Sequence, residues 1–149
     1  MLLRRDRAMI AVLIMLDVAF HAGRTGTVSA ADIAERAGLA RRGIEPLLQT
    51  LSRSSLLESV RGPRGGYRLG RPRRDITVAD IVEVATADDS SSDDGPMGQL
   101  FTRVIDPCWQ KLNDTVSAQC RKLTLDDLVH RAESSGMRRP LAEPITFSI

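Results

Sequence analysis

The stretch Leu57-Glu58-Ser59-Val60-Arg61-Gly62-Pro63-Arg64-Gly65-Gly66-Tyr67-Arg68-Leu69 decides how the rest of this chain reads. Two short strand-forming runs, 57–61 and 67–69, flank five residues made of Gly62, Pro63, Arg64, Gly65 and Gly66. Gly and Pro supply the backbone angles of a tight reversal, so the stretch predicts a β-hairpin. Its tip is basic, because Arg61, Arg64 and Arg68 surround glycines that let a backbone approach another surface closely.

Upstream, residues 41–54 carry Ile44, Leu47, Leu48 and Leu51 at helical spacing. Before them Ser29 is an N-cap with Asp32 at capping-box spacing, Ile33, Ala34 and Ala37 form an apolar face, and Gly38 ends the helix. Two short helices joined by a Gly-containing turn make a helix-turn-helix pattern, which alone is common in helical proteins that bind nothing. Followed at once by a basic hairpin, the pair predicts a winged helix-turn-helix. In that arrangement one helix enters a groove of a duplex, and the wing tracks the backbone or the adjacent minor groove.

The flanks fit the same fold. A first helix over 2–22, with Ile10, Leu13, Ile14 and Val18 on its buried side, stops at Gly23. A fourth begins at Thr77, with Asp80 at capping-box spacing and Val78, Ile81 and Val82 closing the core, and ends near Ala87. Residues 88–96 are only Asp, Ser, Gly and Pro, an acidic loop. A long amphipathic helix then carries Leu100, Val104, Cys108, Leu112, Val116 and Cys120 in steps of four, widened by Trp109 and Leu123 and kinked or broken at Pro107. Its stripe needs a second apolar surface, either the same helix of another subunit in a two-fold dimer or the chain's own N-terminal domain. A short capped helix over 124–129 follows, and 133–149, with Gly136, Pro140 and Pro144, is a tail. The expected fold is mainly α: a winged helix-turn-helix with a small β-hairpin wing and a long C-terminal dimerisation helix. Its divisions are 1–87 for the winged domain, 88–96 for the loop, 97–132 for the dimerisation and short capped helices, and 133–149 for the tail.

Composition bounds the possibilities. The 149 residues suffice for one ordinary domain, and with one Trp, one Tyr and three Phe its core must be aliphatic. The longest apolar stretch, 8–20, is interrupted by Asp17 and falls short of the roughly 20 residues a bilayer crossing needs. No signal-peptide pattern opens the chain, and two cysteines are too few for a secreted disulfide framework, so the expected location is cytoplasmic, with no membrane partner. From Met1 to Ala87, 14 arginines face 9 acids, a net of +5; from Asp88 onward 7 bases face 10 acids, a net of −3. Between Arg61 and Arg74 stand six arginines and no acid, which suits a polyanionic partner or a solvated surface run.

No nucleophile, base and stabiliser occur together in a known catalytic pattern, so no enzyme is expected. His21 and His130 lack partners at metal-ligand spacing. Cys108 and Cys120 read as small buried hydrophobes, with a thiol switch across a dimer as the alternative.

Ile33-Ala34-Glu35-Arg36 before the turn, Val60 to Leu69 in the wing, Ile76-Thr77-Val78-Ala79-Asp80-Ile81 after it, Trp109, and Thr124-Leu125-Asp126-Asp127-Leu128-Val129 together resemble the Rrf2 family of winged helix-turn-helix regulators, with its IscR and NsrR types. The likeness runs from residue 2 to about 130. It implies a homodimer joined through the long helix, recognition helices in successive major grooves of double-stranded DNA, and in many members repression. On this resemblance Arg61 is the wing arginine that reaches the minor groove, and Glu45 accepts a hydrogen bond from a cytosine amino group. The chain departs from the pattern where many members have Ser-Leu-Ser-Tyr, placing Ala40, Arg41, Arg42 and Gly43 there and adding Pro46. Arg41 and Arg42 then stand where the helix end meets DNA, and Gln49, Arg64 and Arg68 complete the expected DNA-binding set.

Several family members hold an iron–sulfur cluster through three cysteines. Where they place the last cysteine and a further ligand, this chain has Arg103 and Asp106, so no cofactor is expected. An unidentified small-molecule effector remains a further partner. Two other readings stay open: a winged module that binds protein, and a redox- or metal-responsive regulator using noncanonical ligands such as Asp88, Asp89, Asp93 and Asp94.

Overall fold

A computed structural model describes residues 7–23, 25–88 and 98–138. The chain runs α1 (Arg7–His21), α2 (Ala30–Ala37), α3 (Arg41–Arg53), β1 (Leu57–Val60), β2 (Gly66–Leu69), a 3-10 turn (Arg73–Asp75), α4 (Val78–Thr86), α5 (Asp106–Lys122) and α6 (Leu125–Ser134). It is mainly helical, with β1 and β2 as an antiparallel hairpin in the register Leu57↔Leu69, Glu58↔Arg68, Ser59↔Tyr67 and Val60↔Gly66.

The buried stripe of α1 is Ala8, Ala11, Ile14, Met15, Val18 and Ala19, and its small alanines let α4 and α6 come close. Leu13, expected inside, is 39% exposed. The stripe is centred on Ala11 and Met15, so Leu13 and Met9 fall on the outer face. Ser29 Oγ accepts from the Asp32 N–H at 3.1 Å and opens α2, and Gly38, at φ 68°, supplies the left-handed residue that closes it. Ile33, Ile44, Leu48, Leu51, Leu56, Ile76 and Ile81 are fully buried between α1 and the rest, each such side chain contributing about 1.5–3 kcal/mol by leaving water.

α4 and α6 both begin with complete capping boxes, Thr77 with Asp80 and Thr124 with Asp127. The two starts lie side by side, for the Val78 N–H donates to Leu123 O and the Leu125 N–H to Ile76 O, each at 2.8 Å. This bridge draws α6 into the core of the winged domain, where Leu125 and Val129 are wholly buried. α6 also extends past the expected 129 to Ser134, into the segment read as tail.

Helical backbone runs unbroken from Gln99 to Lys122. The helix does not break at Pro107; just before it lies a π turn, Phe101–Ile105, in which the Asp106 N–H reaches back to Phe101 O. The wider turn lies just before the proline ring, which would crowd a carbonyl one turn earlier in a regular α-helix.

Candidate nucleic-acid interface

α3 presents one face to the core and one to solvent. Ile44, Leu47, Leu48 and Leu51 are buried, and Arg41, Arg42, Glu45 and Gln49 are exposed. Ala40 offers no side-chain cap, and the Gly43 N–H instead bonds to Ala40 O at 2.9 Å, tightening the first turn. Pro46 is accommodated inside the helix just beyond that turn, where it forgoes one backbone donor. On the outer face the Arg41 Nε–H donates to Glu45 Oε1 at 3.1 Å. Both groups are solvated, so the pair contributes no more than about 0.5 kcal/mol and is free to exchange partners.

The wing is fixed by backbone contacts. Val28 and Tyr67 exchange two hydrogen bonds of 2.9 and 2.8 Å, adding a third extended segment beside β2. Gly66 permits the approach, because a Cβ there would lie 2.6 Å from Val28 O. Thr27 Oγ1 donates to Arg64 O at 2.7 Å and holds the tip. Thr27 and Val28 are absent from the sequence-based site; their one local signal is a β-branched pair set between Gly26 and Ser29. α2 is tied to α1 by Arg36, whose Nε and Nη2 donate to the two oxygens of Asp17 at 2.8 Å each.

α3 and the wing thereby enclose a groove of about 440 Å³. Arg41, Glu45 and Gln49 form one wall with Ser29 and Ala30; Ser59, Val60, Gly62, Gly65, Gly66 and Tyr67 form the other. Arg61 and Arg64 are exposed on the loop at its lip, and Arg42 is exposed beside Arg41. Arg68, also in the expected set, lines a different depression, and its guanidinium donates to both Glu58 oxygens at 3.0 Å across the hairpin. These bonds hold the Glu58 carboxyl below its ordinary pKa.

The family model for Rrf2, described as an iron-dependent transcriptional regulator, matches residues 5–131. The chain belongs to the Rrf2 family. A relative, the HTH-type transcriptional regulator IscR of Pectobacterium carotovorum, is 36% identical over 128 residues, spanning 83% of this chain and 76% of that protein. Among solved structures, T. potens IscR superposes with a TM-score of 0.74 at 33% identity, covering 93% of this chain and 94% of its own. The B. subtilis global cysteine regulator CymR does so with 0.69 at 28% identity, covering 88% and 98%. This Rrf2 chain is therefore a winged helix-turn-helix transcriptional regulator and not an enzyme.

The apolar stripe on the long helix divides in two. Leu100 is 81% exposed, Val104 56%, Trp109 49% and Leu112 45%, with Ile105 beside them. Farther along, Val116 packs against the chain's own core, and Cys120 is buried with Ala8, Val78, Ala79 and Val82. Packing on the chain's own domain holds for the C-terminal end, the other end is left exposed, and Cys120, expected at a dimer contact, is covered by α4 within the chain. Cys108, read as a buried hydrophobe, is exposed.

The donor chemistry of this Rrf2 chain does not fit a thiolate-held cluster. Its two cysteines sit twelve residues apart on one helix, about 18 Å along the axis, and burial pushes the Cys120 thiol up. Arg103 and Asp106 occupy the expected ligand positions. Among the described residues no three His, Cys, Asp or Glu side chains gather as a metal site, and Asp89, Asp93 and Asp94 lie outside those residues. His21 and His130 each pair with an aspartate one turn earlier, Asp17 at 3.8 Å and Asp126 at 3.4 Å. No helix among the described residues is long and apolar enough to cross a membrane.

Proposed function

We propose that this Rrf2-family chain is a sequence-specific DNA-binding repressor that works as a homodimer and carries no iron–sulfur cluster on its own thiols. The observation that supports it is the groove in which α3 side chains and wing backbone face one another. α3 enters the major groove: Arg41 and Arg42 donate to guanine edges or phosphate, Glu45 accepts from a cytosine amino group, and Gln49 is suited to adenine. Arg61 reaches the neighbouring minor groove, and Arg64 neutralises backbone charge. The Arg41–Glu45 pair gives both groups a neighbour in the free protein and releases them to bases at little cost.

The face of Leu100, Val104, Trp109 and Leu112 takes a second copy of itself, and two-fold pairing sets two winged domains on a duplex. A dimer seated across a promoter represses by occupying it. A small-molecule effector would act by shifting the spacing of the two domains.

Selection of genomic fragments bound by the purified chain tests the proposal. An enriched, imperfectly palindromic sequence is expected, with affinity falling steeply as salt rises. No enrichment, or binding indifferent to salt, would overturn it and favour a winged module that binds protein.

A further inference from the structure

A second depression, of about 760 Å³, lies at the base of the wing between the end of α1 and α6. Arg68, Arg71, Arg73 and Arg74 line it, and the one acid among its lining residues is Asp126. That carboxylate is already engaged in ion pairs, one oxygen 2.6 Å from Arg73 Nε and the other 3.4 Å from His130 Nδ1. Arg68 is held by Glu58. No ion pair to Arg71 or Arg74 is found among the described residues, and both are exposed.

The four guanidiniums are presented by a rigid segment. Gly70 is pressed against Ser55, where a Cβ would meet the Ser55 carbonyl oxygen at 2.1 Å, and the Gly70 N–H donates to Leu56 O at 3.0 Å. Pro72 fixes the next turn, and Ile76, fully buried, anchors the far end. Arg71 and Arg74 add unpaired positive charge beside the two paired arginines, and an anion that binds among them relieves their repulsion on a backbone already held in place. Guanidinium forks match phosphate oxygens in particular, and the volume falls in the ordinary range of small-ligand sites.

We propose that this arginine-lined depression is a phosphate-type oxyanion site, distinct from the groove between α3 and the wing. The anion is a small multiply charged molecule or a backbone phosphate from the flank of a bound duplex. Only the second source rests on the DNA-binding reading above.

Inorganic pyrophosphate titrated into the full-length chain at constant ionic strength, followed by calorimetry and by arginine Nε–H NMR, tests the first source. Saturable binding at one site per chain is expected, unchanged in Arg42→Gln and weakened at least ten-fold in Arg71→Gln/Arg74→Gln. For the second source, operator duplexes ending at the protected site are compared with duplexes longer by about one helical turn on each side. A gain in affinity from the added flank that the double variant lacks assigns the site to the duplex. The exposed positions of both arginines predict an unchanged thermal melt for the double variant, and the two single variants carry the same comparison. Absence of both the saturable pyrophosphate binding and the variant-sensitive flank gain would overturn the proposal.

Discussion

Arg42 stands exposed at the start of α3, next to an Arg41 that already has a carboxylate partner. With no such partner found among the described residues, its guanidinium is available to a base edge, and Arg42→Ala is predicted to cost about 1–3 kcal/mol on the selected operator and less on random duplex. Equal losses on both, with a smaller salt slope, would reassign it to phosphate. His21 gives a pH prediction. Burial lowers its imidazole pKa below the usual 6.5 and the Arg36 charge adds to this, while Asp17 opposes both. The folded chain thus binds this proton less readily than the unfolded one, so stability is full above 6.5 and declines as pH falls through that value toward the lower folded one. Urea melts at roughly pH 7.5 and 5.5 should show a smaller drop for His21→Asn than for the parent chain, and equal drops would refute the assignment. At this scale the sequence told residue type better than residue partner. Arg41, Glu45 and Gln49 could be placed on one wall from helical spacing alone, whereas the pairing of Arg68 with Glu58 depends on strand register.

The hairpin was legible as an element because its glycines are demanded by local geometry. Its placement was not, since Val28 and Tyr67 are 39 residues apart and nothing near either one announces the other. The contact yields a prediction: Gly66→Ala puts a Cβ 2.6 Å from Val28 O and should displace the wing, at about 1–3 kcal/mol of stability and a ten-fold or greater loss of operator affinity. Full affinity in that variant would mean the wing does not depend on the contact. The caps were equally readable, because a hydroxyl and a carboxylate three residues apart satisfy orphan backbone donors wherever the helix goes. Thr77→Ala should lower stability by about 1 kcal/mol in chemical denaturation. Helix faces were less secure. α1 turned Leu13 outward because α4 and α6 chose the neighbouring stripe, and the π turn before Pro107 answers a steric conflict that spacing alone could not resolve.

For the whole molecule, the sequence pattern gave a long amphipathic helix two competing partners, and only the packed core could divide it between them. The C-terminal end of α5 and all of α6 brace α4 and α1, while Leu100, Val104, Trp109 and Leu112 are left outward. A charge set in that outer face should prevent pairing without unfolding the monomer. Trp109→Asp is predicted to sediment near the 16.3 kDa monomer mass, melt close to the parent chain, and bind operator at least a hundred-fold more weakly. A variant that stays dimeric would place the interface elsewhere. The central claim is that α3 and the wing read one face of a duplex, twice, through a symmetric pair. Hydroxyl-radical footprinting of the selected operator tests it most directly. Two symmetry-related protected patches are predicted, centred about one helical turn or a multiple of it apart, with Arg61→Ala losing the minor-groove protection beside each. A single asymmetric patch, or a pattern indifferent to Arg61, would contradict it.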